Sequence, residues 1–311
     1  MRNSIRLALS IPQSVSLQPV TESIIDFSVR AEKLGYHSLW TFENSAAAVI
    51  EPIIALSYIA SRTSKTNIGI ATLSSPLRHP IVLAKQLSSL DFLSGGRLIL
   101  GLALGASSQE YESKGESIGD RVPRFIESLQ LIRKLWSSND VDFHGTYWRT
   151  KGLTVEPKPP RGIIPVWLGG GKLRSNVHEK VLLRAANIAD GWIGAGASSL
   201  SEFKDSVSKL ETFLALAGKH RPNFTIAKRV YLHVDSSFEK AREKIRPWFR
   251  SGIMLGDESL IDHVAVYGTV EHCTEELRRH FDVGADLLVL HPVADEIEQI
   301  EIYMKDIMPK L

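Results

Sequence analysis

Several short stretches of the chain set reactive side chains, or bare backbone, next to one another. Glu43-Asn44-Ser45 pairs a carboxylate with an amide, which can position a bound molecule or simply hold a loop through accepted hydrogen bonds. Ala71-Thr72-Leu73-Ser74-Ser75 offers small and hydroxylic side chains in a row. In Gly105-Ala106-Ser107-Ser108-Gln109-Glu110-Tyr111, a carboxyl group stands beside a phenol, a combination suited to proton transfer or to a solvated loop. Gly169-Gly170-Gly171 is three residues of exposed backbone, whose N–H groups can form a nest for a phosphate or an ordinary turn. Asp190-Gly191-Trp192 joins a capping acid to a large ring that either lines a cavity or packs in the core. His79 precedes Pro80 and is placed to cap a helix or to touch a bound anion. Arg121 is placed to bind an anion or to make a structural ion pair.

Other chemistries find little purchase. Lys172 follows the triple glycine without Ser or Thr beside it, and GxGxxG spacing is missing, so neither nucleotide fingerprint is present. No H-E-x-x-H run or paired histidine spacing points to zinc or iron. No G-x-S-x-G elbow supports a serine hydrolase. The single cysteine, Cys273, reads as helix packing and excludes an internal disulfide framework.

The elements that must hold these stretches alternate along nearly the whole chain. Strands are predicted at Ile5–Ser10, Ser38–Phe42, Lys65–Leu73, Arg97–Leu102, Ile164–Leu168, Trp192–Gly194, Thr225–Val234 and Asp286–His291. Helices are predicted at Val20–Leu34, Pro52–Arg62, Pro80–Leu93, Val122–Leu135, Glu179–Ala189 and Leu200–Ala217. Others start at Phe238, end at Leu277–Phe281 and cover Ile297–Ile307. Asp142–Trp148 reads as an extended excursion. Eight strands separated by helices predict an α/β fold, a (β/α)8 TIM barrel in one domain over residues 1–311. A doubly wound sheet is the alternative, because both bury parallel strands behind helices. The segments near 103–120 and 251–276 interrupt the rhythm and are expected as insertions at the C-terminal face, where barrel loops carry chemistry. The candidate residues fall on the ends of strands two to six, which is where such a barrel would gather them.

Composition narrows the classes further. The 311 residues carry a formal net charge of +2, too near neutral for a global nucleic-acid footprint. No apolar run approaches the length of a membrane span, and the N-terminal run lacks a convincing cleavage region. A cytoplasmic protein with neither membrane nor nucleic-acid partner is expected.

The run RHPIVLAKQLSSLDFLSGGRLILGLALG (Arg78–Gly105) closely resembles the luciferase-like monooxygenase superfamily. So does AEKLGYHSLWTFEN at the second strand, followed in order by EYESKG, RFIESLQLIRKLW, FHGTYW, VEPKP, IPVWLGGG and AANIADGW. YGTVEHCTEELRRHFDVGADLLVLHP is similar to that family's last helix, strand and loop. The resemblance spans almost the whole chain. It implies a barrel that binds reduced flavin mononucleotide (FMN) or deazaflavin coenzyme F420, and a homodimer. It implies a non-prolyl cis bond at Ala71–Thr72 beneath the cofactor ring. Cofactor contacts are implied at Ala71, Thr72, Ser107, Gly169, Gly170, Gly171, Gly191 and Trp192.

Two departures matter. Many relatives have a histidine after the acid of strand two, where this chain has Asn44, which cannot titrate near neutral pH. Deazaflavin-dependent sugar-phosphate dehydrogenases carry a glutamate where Ser107 stands. Light emission and sugar-phosphate oxidation are therefore disfavoured. Three functions stay open: F420-dependent hydride transfer with a small organic substrate, a two-component FMN monooxygenase fed by a reductase, and a degenerate flavin-binding protein. In either enzyme Glu43 and Asn44 would face the ring or substrate, Thr72 would support the bulge, and Glu110 would contribute proton transfer. A flavin or F420 reductase or dehydrogenase is the implied protein partner.

Overall fold

The computed structural model describes residues 5–14, 20–44, 48–105, 108–170, 177–251 and 256–311. Eight parallel strands close on themselves in chain order: Leu7–Ser10, Ser38–Thr41, Asn67–Ser74, Leu98–Ala103, Val166–Gly169, Gly191–Gly194, Thr225–Val234 and Leu287–Pro292. We number these one to eight. Closure rests on two pairings that a doubly wound sheet would lack. Strand six joins strand seven from Gly191↔Thr225 to Gly194↔Lys228, and strand eight joins strand one from Leu288↔Leu7 to Leu290↔Leu9. The barrel is therefore the fold, and the open sheet is excluded.

Period-two alternation explains how the strands close and pack. Leu7, Leu9, Leu39, Ile68, Ile70, Leu98, Leu100, Val166 and Leu168 point outward into one large core against the helices. Ala8, Trp40, Trp167, Ile193, Ala227, Leu287 and Val289 point inward as a separate cluster that fills the barrel. Burying each large aliphatic side chain contributes about 1.5–3 kcal/mol, so both faces of the sheet are stabilised.

Local signals fix where the helices begin and end. Pro80–Ser94 starts with proline in its first turn and stops at Gly95, whose φ of 74° is left-handed. Leu200–Leu216 begins with a complete capping box formed by Ser199 and Glu202. Pro52–Ala60 is capped by Glu51, whose carboxylate accepts from the Ile54 N–H at 2.9 Å.

The expected insertions contain structure of their own. Ser108–Ser113 is a short helix, and the extended excursion is an antiparallel hairpin of Val141–His144 with Arg149–Leu153. A further strand, Ala265–Gly268, pairs with the upper half of strand seven from Tyr231 to Val234. It continues the edge that strand six occupies lower down, and so raises the barrel wall on that side. The closing helix is shorter than its apolar pattern suggested. Glu296–Ile302 passes into a wider π-turn at Tyr303–Ile307 and a 3₁₀ turn at Met308–Lys310.

Candidate functional site

The floor of the barrel mouth is a pair of indoles. Trp40 of strand two lies on Trp167 of strand five, with ring centroids 5.0 Å apart and planes 29° from parallel. Trp40 Nε1 donates to Ser38 Oγ at 2.8 Å, which fixes the first ring. Two glycines make room for the pair. A Cβ on Gly69 would stand 2.5 Å from the Trp40 ring, and one on Gly191 would stand 2.6 Å from the Trp167 ring. Gly191 thus borders the floor.

Above the floor, strands three to six form a wall with almost no side chains. The peptide between Ala71 and Thr72 is cis, as expected, and the register of strand three against strand four shifts between Ile70 and Leu73. The displaced Ile70 carbonyl would lie 2.2 Å from a Cβ on Gly101, and the Thr72 methyl 2.2 Å from a Cβ on Gly169. Backbone therefore meets backbone and a small side chain across this wall. Gly170 has φ +144°, a conformation that L side chains rarely adopt, and the Trp192 Nε1 donates to its carbonyl at 3.0 Å. These glycines let the strands of the wall approach one another closely, and the bare backbone at Gly169 and Gly170 suits the anionic tail of a flat ring. Gly171 and Ser107 lie outside the described residues.

The facing wall, built by strands seven, eight, one and two, has the opposite character. Arg229, Tyr231, His291, Ser10 and Phe42 point into the mouth. The Arg229 guanidinium stands 4.6 Å from the Phe42 ring centroid and donates to His291 Nδ1 at 2.7 Å and Ser10 Oγ at 3.2 Å. Trp248, from the helix Phe238–Arg250, closes over the rings of Tyr231 and His291 at 4.7 and 5.0 Å. Burial and the neighbouring Arg229 charge hold His291 well below the usual imidazole range, so it is neutral.

Several expected site residues occupy supporting positions. Both oxygens of Glu43 are engaged: Oε1 accepts from Arg78 Nη2 and Oε2 from the Ser74 N–H, each at 2.6 Å. Arg78 also donates to the Ser74 carbonyl at 3.3 Å and to Glu51 at 3.3 Å, so it ties the ends of strands two and three to a helix cap. Both contacts hold the loop that follows strand two against the end of strand three. Asn44 follows at the rim, half-buried. Trp192 lies behind the wall. It is 1 % exposed, faces outward against Phe203 at 5.8 Å, and donates to the Gly170 carbonyl. The period of two decides this, because Gly191 and Ile193 take the inward positions.

Glu110 lies on the short helix Ser108–Ser113 and pairs with Lys114 at 3.1 Å. Its neighbour Tyr111 is buried, donates to the Leu104 carbonyl, and has its phenol pushed up to about 12 by burial. Asp190 caps backbone by accepting from the Val166 N–H at 2.9 Å. His79 caps its helix by accepting from the Ile81 N–H at 3.3 Å, and Arg121 donates to the Ile118 carbonyl at 3.0 Å. Cys273 is buried in the helix Val270–Val283 with its thiol pushed up to about 12. The sequence reading missed Arg229, His291, Tyr231 and Trp248. Inward parity on strands seven and eight was the available signal, since Arg229 shares its face with Ala227 and His291 shares its face with Val289.

Together with the family match, the parallel barrel and its bulged strand place the chain among enzymes of the flavin- and deazaflavin-dependent oxidoreductase class. The chain belongs to the luciferase-like monooxygenase family, whose sequence profile matches residues 5–287. It is 25 % identical over 319 residues to an F420-dependent glucose-6-phosphate dehydrogenase from Amycolatopsis mediterranei, covering 93 % of this chain and 94 % of that one. The fold is similar to that of the monooxygenase RslO1 from Streptomyces bottropensis, with a TM-score of 0.83 at 18 % identity over 98 % of this chain and 99 % of that one. It is also similar to the oxygenating constituent of 3,6-diketocamphane monooxygenase from Pseudomonas putida, a type II Baeyer–Villiger enzyme in complex with FMN. There the TM-score is 0.77 at 18 % identity over 99 % of each chain. Among the described residues no helix is long and apolar enough to cross a membrane.

Proposed function

We propose that this protein uses reduced coenzyme F420 for hydride transfer to or from a small organic substrate. The observation that carries this reading is the division of the mouth into a bare, bulged wall and a donor-lined aromatic wall. The first suits a flat ring and the second a substrate laid against it. The near full-length similarity to a glucose-6-phosphate dehydrogenase that depends on F420 supports the choice of cofactor. When bound, F420 supplies the carbon that gives or takes hydride.

The chain's own residues hold, orient and dry the site. Ala71 and Thr72 bear the ring, Ser107 contacts its edge, and Gly169, Gly170 and Gly171 receive the phosphate on bare backbone. Glu43 acts as a positioning residue, keeping Ser74 and the end of the bulged strand in place through its two hydrogen bonds. Asn44 orients the ring or a substrate carbonyl through its amide. Glu110 moves the proton that accompanies hydride transfer. Gly191 and Trp192 serve the cofactor indirectly, one by admitting Trp167 to the floor and the other by anchoring Gly170. Trp40 and Trp167 exclude water from below.

The reading includes a cytoplasmic homodimer that depends on a separate F420 reductase or dehydrogenase to recycle the cofactor. Ile54, Val82, Phe92 and Leu93 expose 54–78 % of their surface on the helices Pro52–Ala60 and Pro80–Ser94, an apolar face suited to self-association. Anaerobic incubation with reduced F420 deuterated at the hydride position, alongside enones, imines and ketones, tests the reaction. Deuterium in a product, with stoichiometric oxidation of F420, is the expected result. Oxygen-dependent product formation with FMNH2 alone would establish the two-component monooxygenase instead. Turnover with neither cofactor would leave a binding protein.

A further inference from the structure

Two arginines of this barrel, Arg97 buried and Arg229 half-buried, are satisfied very differently. Arg97, 7 % exposed at the start of strand four, spends its side chain on the fold. Nε donates to Ser94 O, Nη1 to Thr63 Oγ1 and Thr66 O, and Nη2 to Ala60 O and Thr63 O, all within 2.7–3.2 Å. Among the described residues Arg229 uses Nη2 alone, for Ser10 Oγ and His291 Nδ1. Its Nε is buried without a hydrogen-bond partner. Among the described residues no carboxylate pairs with it, and its charge rests on the faces of Phe42 and Tyr231 at 4.6 and 5.7 Å. A half-buried guanidinium whose Nε is buried without a partner, and which no described carboxylate neutralises, is costly for a fold to keep, so a partner from outside the chain is the physical expectation.

The chemistry of the surrounding groups says what that partner is. Arginine has no acceptor, so the 2.7 Å contact requires His291 Nδ1 to carry a lone pair. The imidazole proton then sits on Nε2, which makes His291 a neutral donor. Tyr231, beside it at 5.5 Å between rings, keeps its phenol protonated because burial raises its pKa. Cation, imidazole N–H and phenol O–H thus line one side of the mouth with donors and no base. Among the described residues Arg229 is the one positive charge on this side. The nearby Lys228 points away, donating to Ser198 O at 2.7 Å and Ser198 Oγ at 2.9 Å.

We infer that Arg229, His291 and Tyr231 form a subsite for the carboxylate of a monoanionic organic substrate whose apolar body lies against Trp248. This rests on the oxidoreductase reading and narrows its substrate class. The one cation among the described residues of this wall matches one negative charge better than the two of a phosphate monoester dianion. The phosphorylated sugar named for the dehydrogenase relative is accordingly not the substrate expected here.

The test is isothermal titration of the full chain, with and without oxidised F420, using benzoate, benzamide, benzenesulfonate and phenyl phosphate as probes. Benzoate is expected to bind about tenfold or more tightly than its neutral isostere benzamide, and more tightly than phenyl phosphate. Arg229→Met should erase the benzoate preference while leaving F420 affinity intact. Equal affinity for benzoate and benzamide in the native chain would overturn the subsite. So would a benzoate preference that survives Arg229→Met, a preference for sulfonate or phosphate over carboxylate, or loss of F420 binding in the variant. If Arg229→Met does not fold, the native comparison of benzoate with benzamide decides alone. Benzoate selectivity in a chain that fails to bind F420 would remove the hydride-transfer reading and leave the subsite standing.

Discussion

Arg78 and Glu43 are joined through Nη2 and Oε1 at 2.6 Å, an ion pair only 21 % and 11 % exposed, which binds the end of strand two to the end of the bulged strand. Glu43 is thereby a brace for the Ala71–Thr72 segment. Glu43→Gln should cost about 1–2 kcal/mol of stability, because the charge-assisted half of the contact is lost while the amide oxygen can still accept from Ser74. Cofactor affinity should fall while the pH profile of turnover stays in place. Denaturant unfolding and a pH–rate series read both, and a displaced limb of the profile would make Glu43 an acid or base.

The floor of the mouth depends on two missing side chains. Gly191→Ala places a Cβ 2.6 Å from Trp167 and 2.8 Å from the Thr225 carbonyl, and Gly69→Ala presses one into Trp40 at 2.5 Å. Each should destabilise by about 1–3 kcal/mol through overpacking. Urea midpoints check this. Unchanged midpoints would mean that the indoles do not fill the barrel as described.

Glu110 is the proton-transfer residue in the proposed reaction. Glu110→Gln should lower turnover about 100-fold with little change in cofactor affinity. Full turnover in the variant would leave the carboxylate a structural role, such as its 3.1 Å pairing with Lys114.

Lys228 ties the loop after strand six to strand seven, and burial pulls its ammonium from 10.5 down to about 7. Between these values the unfolded chain binds the proton and the folded chain has released it, so this group's contribution to stability rises with pH. Below about pH 7 both states are protonated and the burial penalty is constant. Unfolding free energies of the native chain minus those of Lys228→Met should therefore climb through that window, at up to about 1.4 kcal/mol per pH unit. A flat difference would show that the ammonium keeps its proton when folded.

The barrel was readable because its strands alternate and its helices carry their own punctuation. Leu7 and Leu9 face the helices while Ala8 faces inward, and Pro80 and Gly95 bracket a helix. The cis bond came from motif resemblance, since Ala71 and Thr72 alone carry no such message. What escaped was what depends on which way a side chain points. Trp192 and Trp167 look equivalent in the sequence, yet one parity step sends the first outward to Phe203 and the second into the floor. Arg229 and His291 lie 62 residues apart, and only barrel closure brings them to 2.7 Å. The strand Ala265–Gly268 is equally non-local, because its four residues are strand only beside Tyr231–Val234.

The central claim is that the bare wall over strands three to six receives F420. Anaerobic titration of the protein with reduced F420 and, in parallel, with FMNH2 tests it most directly, followed by fluorescence or absorbance. Tight binding of reduced F420 that Gly170→Val abolishes, with weak binding of FMNH2, is the predicted result. Selective binding of FMNH2, or F420 affinity indifferent to Gly170→Val, would contradict it.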